Sequence, residues 1–505
     1  MKEHSGNKKN FSRIALIMTI SLLLSGCAGN IPFMNKEQEK QGEISLTAET
    51  MGLEPDFSYE RNTERPHIQV DRLGYLPKSA KTAVIQWKEL PENFQIIEKD
   101  SGECVYEGEV RRKENITGDI DTGYCNFTEF EEEGTYYIKC DKIGCSHYFT
   151  VGKEVYLETE RELGRIIEEM EAAGEKSGQP DEKENPGETA DICETVSYLL
   201  AAYEMYPGLL LEIWGNGKVE SETEEGGGEE FFRMLRSHTD RLLTLQDEKT
   251  GGICKTAEGF SETKEDARIT EQEISAETTA VFAGTMAKYS YLYQQYDLDY
   301  ANICLKAAAK AWRYLDGQYG GLTQGQAAGN KGEDRSLENS VRIRRFYAAS
   351  ELYRASNEAL YHNYILQNQE FIVEEKEDLY LLLGKTTYLS TRRKVNHELC
   401  GQIMDGLMKD AEDIAARTKA GTFLSDGEDA DTVLWNMTVM ALANYAIMNH
   451  EYVTVIANNV HYLLGRNTGA EFLTEDLGSG KAAAILLLLS VVEAEQEIIE
   501  ASGEQ

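Results

Sequence analysis

Two patterns of hydrophobic and polar residues divide the chain near residue 155. Between residues 67 and 153, short runs alternate between apolar and polar side chains, and Gly, Pro or Asp residues interrupt them. Such alternation is typical of strands that bury one face. The strand-like runs are residues 83–87, 94–97, 105–108 and 136–139. This part of the sequence therefore predicts a small all-β sandwich.

From about residue 155 onward the apolar residues instead recur at helical spacing. The helical segments are residues 195–204, 231–245, 276–293, 300–315, 345–355, 410–418, 433–448, 453–464 and 482–495. Residues 482–492 are almost all apolar but too few to cross a bilayer, so they predict a buried helix. Helices of similar length joined by loops favour an α/α toroid, and a generic helical array is the alternative.

The amino-terminal residues have the pattern of a lipoprotein signal peptide. A cluster of Lys8, Lys9 and Arg13 precedes an apolar stretch over residues 14–24, and Leu-Ser-Gly-Cys follows, ending at Cys27. We expect residues 1–26 to be removed and Cys27 to carry a lipid that holds the protein outside the bacterial cell membrane. The alternative is an ordinary signal peptide with a chance cysteine. The polar residues 27–65 predict a flexible tether.

The charge of the chain excludes one class of partner. With 51 basic and 88 acidic residues the net charge is −37, so nucleic acid and anionic lipid headgroups are repelled. We therefore expect no nucleic-acid partner, and membrane contact through lipidated Cys27 only. The simplest role of the acidity is solubility.

Export would permit disulfides. Cys140 and Cys145 flank a hairpin-like turn and are candidates to pair across it. The remaining cysteines predict buried free thiols: Cys104, Cys125, Cys193, Cys254, Cys304 and Cys400.

Several motifs, in a fixed order, resemble one enzyme family. Residues 68–77 (IQVDRLGYLP) and 461–469 (HYLLGRNTG) lie near the two ends, and residues 245–252, 296–312 and 346–355 lie between them. Together they resemble family 9 glycoside hydrolases (cellulases) that carry an amino-terminal immunoglobulin-like domain. The resemblance implies an all-β immunoglobulin-like sandwich over residues 66–154, followed by an all-α (α/α)6 toroid barrel over residues 155–497. It also implies a β-1,4-glucan substrate.

The same resemblance implies inverting hydrolysis by two carboxyl groups roughly 6.5–9.5 Å apart. The family's base lies in an Asp-Ala-Gly-Asp motif, which is absent here. Counting back without gaps from Tyr203 and Glu204 puts residues 181–184 (DEKE) in its place. Glu184 would then be the base and Asp181 would hold the water. The alternative is that this stretch is only a solvated charged loop.

The family's acid is a glutamate shortly before the last barrel helix, and Glu475 lies there. The family's His-rich sugar-binding segment is missing between Arg466 and Glu475. The alternative is that Glu475 or Asp476 is a charge favoured by the helix dipole. Two functions follow: a β-glucan hydrolase, or an inactive barrel that binds glycan or protein at the cell surface.

Other candidate sites are weaker. No cofactor is predicted; one acidic loop has the residue types for calcium without the spacing of an EF-hand, and a solvated loop is favoured. That loop contains Asp426, Glu428, Asp429 and Asp431. The histidines have no Cys, His or carboxylate companions at the spacing of zinc ligands, so no zinc site is predicted. Of the tryptophans that might stack on sugars, Trp312 and Trp435 are favoured as core residues.

Overall fold

A computed structural model describes most of the chain after residue 65. The described residues are 66–112, 121–176, 189–215, 227–255, 274–319, 333–420, 429–466 and 477–503. They belong to two compact units, one formed by Met1–Val155 with His461–Leu473 and the other by Tyr156–Val460 with Thr474–Gln505. The predicted signal peptide, Cys27 and the tether lie outside the described residues.

The first unit is a β-sandwich. Its strands are β1 (Ile68–Gln69), β2 (Thr82–Trp87), β3 (Asn93–Glu98), β4 (Cys104–Arg112), β5 (Asp121–Asn126), β6 (Gly134–Cys140), β7 (Gly144–Cys145) and β8 (Phe149–Val151). All pairings are antiparallel in the order β1-β2-β5-β4-β3-β6-β7, with β8 also on β6. The first part of β4 pairs with β3 and its end pairs with β5, so β4 joins the two layers. The predicted strands are confirmed.

The alternating pattern fills one core between the layers. Ile85 on β2, Ile96 on β3 and Ile138 on β6 are fully buried there, together with Tyr75 and Phe149. Gly74 has φ of +129°, and a Cβ at this position would lie 2.3 Å from the carbonyl oxygen of Thr150. Only glycine fits this approach, which lets the Tyr75 amide donate to that same oxygen over 2.9 Å.

The predicted pairing of Cys140 with Cys145 is wrong. In the β6–β7 register Cys145 lies opposite Lys139, and Cys140 lies opposite Gly144. Cys140 points into the main core, whereas Cys145 packs with Ile97 and Tyr137 in a separate cluster. Neither thiol is part of a disulfide bond in the structure. The turn length alone concealed that side chains alternate between the faces of a strand.

The other cysteines were predicted to be buried and outside disulfides, and this is confirmed at positions 125, 193, 254 and 304. Cys104 is exposed and Cys400 is half-buried, so burial was predicted wrongly for them.

Residues from the two terminal motifs meet inside the first unit. Nδ1 of His461 lies 2.7 Å from Oδ2 of Asp71, and Arg466 donates to the carbonyl oxygen of Thr82 over 2.5 Å. Asp71 and His461 are both fully buried. Burial raises the pKa of Asp71 and lowers the pKa of His461, and the attraction between the two side chains opposes both shifts. The balance favours one proton shared between them.

The second unit is helical. Its helices are α1 (Leu157–Lys176), α2 (Thr189–Met205), α3 (Pro207–Trp214), α4 (Gly227–Thr244), α5 (Ala276–Tyr293), α6 (Leu298–Tyr319), α7 (Glu333–Ser356), α8 (Ala359–Gln367), α9 (Gln369–Glu374), α10 (Leu379–Ser390), α11 (His397–Ala420), α12 (Ala430–Ile447), α13 (His450–Leu463) and α14 (Ser479–Gly503). A short ribbon of β9 (Ile253–Cys254) and β10 (Ile274–Ser275) precedes α5. Every predicted helix is present.

Six of the described helices form a closed inner ring. Each of α2, α5, α7, α10, α12 and α14 packs against the next, and α14 packs against α2. Their side chains are buried on nearly all sides, as in α5 and in residues 482–492 of α14. The amphipathic helices α1, α4, α6, α11 and α13 alternate with them along the chain and expose one face. This is the arrangement of an (α/α)6 barrel, which follows the β-sandwich along the chain. None of the described helices is long and apolar enough to span a membrane.

A buried network of charges ties together four inner helices. Glu204 on α2 lies 2.8 Å from Nζ of Lys288 on α5 and also pairs with Arg354 on α7. Arg354 pairs with Glu351 over 2.6 Å, and Glu351 accepts a hydrogen bond from Thr387 on α10. Burial alone would raise the pKa of Glu204, but Lys288 and Arg354 outweigh it and lower this pKa to about 2.

A second buried acid lies in the opposite kind of environment. Glu160 on α1 is 1% exposed and shares a hydrogen bond with Glu493 on α14. Burial, the Glu493 carboxyl and the nearby Glu212 raise the pKa of Glu160 to about 10, and burial raises that of Glu493 to about 7. The pair therefore holds a proton at neutral pH.

The substitution Glu204→Gln should lower the free energy of unfolding by about 3–5 kcal/mol, because it leaves buried cations without their counter-charge. The effect should be present above the ordinary pKa of 4.5 and disappear as the pH falls toward 2, since the folded-state pKa is the lower one. Urea unfolding followed by helical circular dichroism measures both. Arg233→Gln at an exposed ion pair is the control, with at most about 1 kcal/mol expected.

The same change at Glu160 should have the opposite sign. Glu160→Gln resembles the protonated carboxyl, so it should stabilise the protein by on the order of 1 kcal/mol at about pH 8 and have little effect at about pH 5. The reason is that the folded-state pKa is raised, so the stability of the unsubstituted protein falls as the pH rises from 4.5 toward about 10. Equal stabilities at alkaline pH would contradict the shared proton.

Candidate active site at the mouth of the inner ring

The amino-terminal ends of the inner helices meet at one end of the ring, which we call the mouth. We define it by the first two turns of α2, the first turns of α5, α10, α12 and α14, and the part of α7 around Ser340 and Arg344. Polar contacts join neighbouring members there: Glu277 on α5 with Ser340 on α7, Arg344 on α7 with Asp378 before α10, and Lys481 on α14 with Asp431 on α12. The mouth is therefore a polar surface on an apolar ring.

Residues that sequence analysis predicted as catalytic precede two neighbouring helices of the mouth. Asp181, Glu184 and Glu475 lie outside the described residues, as do Asp426 and Glu428. Glu184 comes five residues before Thr189, the start of α2, and Glu475 comes four before Ser479, the start of α14.

The start of α14 contacts the second turn of α2. Oγ1 of Thr195 on α2 lies 3.0 Å from Oγ of Ser479, the first residue of α14. A Cβ built on Gly480 would lie 3.2 Å from Oε1 of Glu194, so the first turn of α14 runs against this carboxyl.

Glu194 is a site candidate that the sequence analysis missed. Its carboxyl group faces Gly480 of α14 and interacts with Arg344 and Asp378 across the mouth. Burial is the main cause that raises the pKa of Glu194, Asp191 adds to it, and Arg344 opposes it. A carboxyl group that keeps its proton to higher pH is suited to general-acid chemistry. The available signal was one acid within the otherwise uncharged segment 192–202.

A chain of hydrogen bonds fixes the charged side chains beside Glu194. Ser340 donates to Glu277, and Arg344 donates to Ser340 over 2.7 Å. Arg344 also lies 3.4 Å from Oδ2 of Asp378 and 5.3 Å from the centre of the Tyr380 ring. Asp378 accepts from the amides of the second and third residues of α10 and so caps this helix. Such fixed donors and acceptors match the hydroxyl groups of a sugar.

The remaining candidates have structural roles. Trp312 is 3% exposed and packs edge-on against Tyr361 and Tyr364, so the predicted core position is confirmed. Asp429 accepts from the amide and the hydroxyl of Thr432 as the cap of α12. Among the residues that the structure describes, no three potential ligands are grouped to hold a metal ion.

Comparisons with known proteins agree for both units. Residues 193–476 match the family described as glycosyl hydrolase family 9, and residues 63–145 match the cellulase N-terminal ig-like domain. Endoglucanase D of Acetivibrio thermocellus is 22% identical over 452 residues, which cover 79% of this chain and 71% of the relative.

Solved structures show the same fold. A metagenome-derived glycoside hydrolase family 9 endoglucanase superposes with a TM-score of 0.62 at 18% identity, covering 81% of this chain and 85% of its own. A family 9 protein of Bacteroides ovatus has a TM-score of 0.62 at 17% identity, covering 85% of this chain and 99% of its own.

Proposed function

This chain belongs to glycosyl hydrolase family 9 and is a cellulase-type glycoside hydrolase, and we propose that it cleaves β-1,4-linked glucan at the mouth of its inner ring. The family match covers 284 residues (193 to 476) of the 505 in the chain. The relative from Acetivibrio thermocellus is named an endoglucanase, which supports a glucan as the substrate.

The proposed reaction needs two carboxyl groups on opposite sides of the scissile bond. We assign Glu475 as the acid that protonates the leaving oxygen. Glu184 is assigned as the base that takes a proton from the attacking water, and Asp181 holds this water. Because the water attacks from the face opposite the leaving group, the anomeric configuration inverts.

One observation carries this proposal: the first residue of α14 touches the second turn of α2, with 3.0 Å between the side-chain oxygens of Ser479 and Thr195. Glu184 precedes α2 by five residues and Glu475 precedes α14 by four, so the proposal assigns both carboxyl groups to one sugar-sized space. The fixed side chains of Arg344 and Asp378 border the same mouth and supply donors and acceptors for sugar hydroxyls.

We also propose that the enzyme is a surface lipoprotein. The segment that ends at Cys27 has a basic start, an apolar stretch and small residues before the cysteine. A diacylglycerol on the Cys27 thiol would hold the mature protein outside the cell membrane, close to polymers too large to enter. This places hydrolysis at the cell surface.

The substitution Glu475→Gln should reduce kcat on soluble β-1,4-glucan by about 10²–10⁴, because the amide cannot protonate the leaving oxygen. Glu184→Gln should reduce it similarly. Reducing-sugar release by the purified full chain measures both, and proton NMR of the fresh product reports its configuration. Glu229→Gln at an exposed position of α4 is the matched control and should keep full activity.

Two outcomes would overturn the assignments. Activity that survives Glu475→Gln but is lost in Glu194→Gln would make Glu194 the proton donor. No activity on a broad panel of β-glucans, together with retained glycan binding, would leave the barrel as a binding protein of the cell surface.

The substitution Cys27→Ser should move the protein from the membrane fraction to the medium or the soluble fraction of the producing cells, because no thiol remains to carry a lipid. Immunoblots of the fractions and mass spectrometry of the amino-terminal peptide provide the measurement. Cys104→Ser, at an exposed thiol of the first unit, controls for loss of a cysteine alone. An unchanged membrane fraction would contradict the lipid anchor.

A further inference from the structure

Two cysteines of the β-sandwich point at each other across its core. Cys125 is in β5, which pairs with β2 and β4, and Cys140 is at the end of β6, which pairs with β3, β7 and β8. The two side chains belong to the same buried cluster, with exposures of 0% and 3%. Their thiols are hydrogen-bonded to each other.

Among the described cysteines of the unit, no other two lie on opposite layers and face the same core. Cys145 follows Cys140 closely in sequence but lies in the cluster on the other face of the sheet, with Ile97 and Tyr137. Cys104, at the start of β4, is exposed. Only Cys125 and Cys140 thus combine opposite layers, a shared core and direct contact.

Neither cysteine is part of a disulfide in the structure, and we propose that on oxidation Cys125 and Cys140 form a disulfide bond that links the two layers of the β-sandwich. The bond joins β5 to β6 and closes a loop of 15 residues (140 minus 125). It would act as a covalent staple on a small unit whose layers are otherwise held together by the shared core and by β4, which pairs with both layers.

The bond requires an electron acceptor, and a disulfide of the dithiol-oxidoreductase or glutathione class supplies it. One thiol loses its proton and attacks a donor sulfur, which forms a mixed disulfide and releases the donor's other sulfur as a thiolate. The second thiol then loses its proton and displaces the remaining donor sulfur. Two protons are released, and two electrons reduce the donor to thiols.

Burial determines when this exchange takes place. In the folded unit neither sulfur is open to a donor, and burial raises the pKa of the Cys125 thiol well above its ordinary value. Exchange therefore occurs before the layers close, and the finished bond is shielded from reductants. In the cell, formation of the disulfide depends on the export proposed above. Oxidation of the purified protein does not depend on export.

The test is to unfold the purified full chain and refold it in a mixture of reduced and oxidised glutathione, with a parallel sample kept in reductant. After alkylation, trypsin separates the relevant cysteines, because cleavage follows Lys113, Lys139 and Lys142. Cys125 is then on peptide 114–139, Cys140 on 140–142 and Cys145 on the peptide after it. We expect peptides 114–139 and 140–142 to be linked in the oxidised sample only.

The oxidised protein should also unfold at a higher temperature. Closing a loop of this length should raise the Tm of the β-sheet transition by on the order of 10 °C over the reduced sample. The difference should vanish in Cys125→Ala and in Cys140→Ala, and remain in Cys145→Ala. The comparison within the unsubstituted chain stands even where a variant fails to fold.

The inference is overturned if both thiols are alkylated after oxidative refolding, or if Cys140 is linked to another cysteine. An equal Tm for the oxidised and reduced samples would also overturn it. None of these results bears on glucan hydrolysis, so failure here is separate from failure of the proposed function.

Discussion

The packing of the last inner helix against the first is the contact on which the helical unit depends. Without α14 on α2 the six helices would be an open array. At one end of this contact Thr195 meets Ser479, and Gly480 lets the backbone of α14 approach Glu194. Small residues at this junction therefore let two helices that are distant in sequence close the ring.

Three glutamates of the same unit show how environment decides the chemistry of one side chain. Glu204 is matched by two cations and stays ionised, whereas Glu160 faces other carboxyl groups and stays protonated. Glu194 lies between these extremes, because Asp191 and Arg344 act on it in opposite directions. Burial alone would treat all three alike, so the neighbouring charges make the difference.

Local patterns were enough to predict most of the fold. The alternating runs and the helical periods each gave the correct element, because burial of one face leaves a period in the sequence. Five of the described helices were not among the predicted segments, namely α1, α3, α8, α9 and α10. Helix α10 is buried nearly all round, so its apolar run carries little helical period. The Cys140–Cys145 pairing failed because closeness in sequence does not show which face of a strand a side chain occupies.

The contact between Asp71 and His461 could not be predicted from local patterns, because it depends on tertiary structure and 390 positions separate the two residues. Glu194 was missed because the search followed family motifs, and this residue follows none.

The order of the helices along the chain has a consequence for biogenesis. One side of α2 is covered by α14, which is synthesised after all the other described helices. Before α14, the chain contributes residues 461–473 to the first unit. A nascent polypeptide therefore carries an unfinished apolar surface until α14 emerges. Closure of such a sequence-distant contact is slow compared with local helix formation. For an exported protein, this delays completion of the catalytic unit until α14 has crossed the membrane.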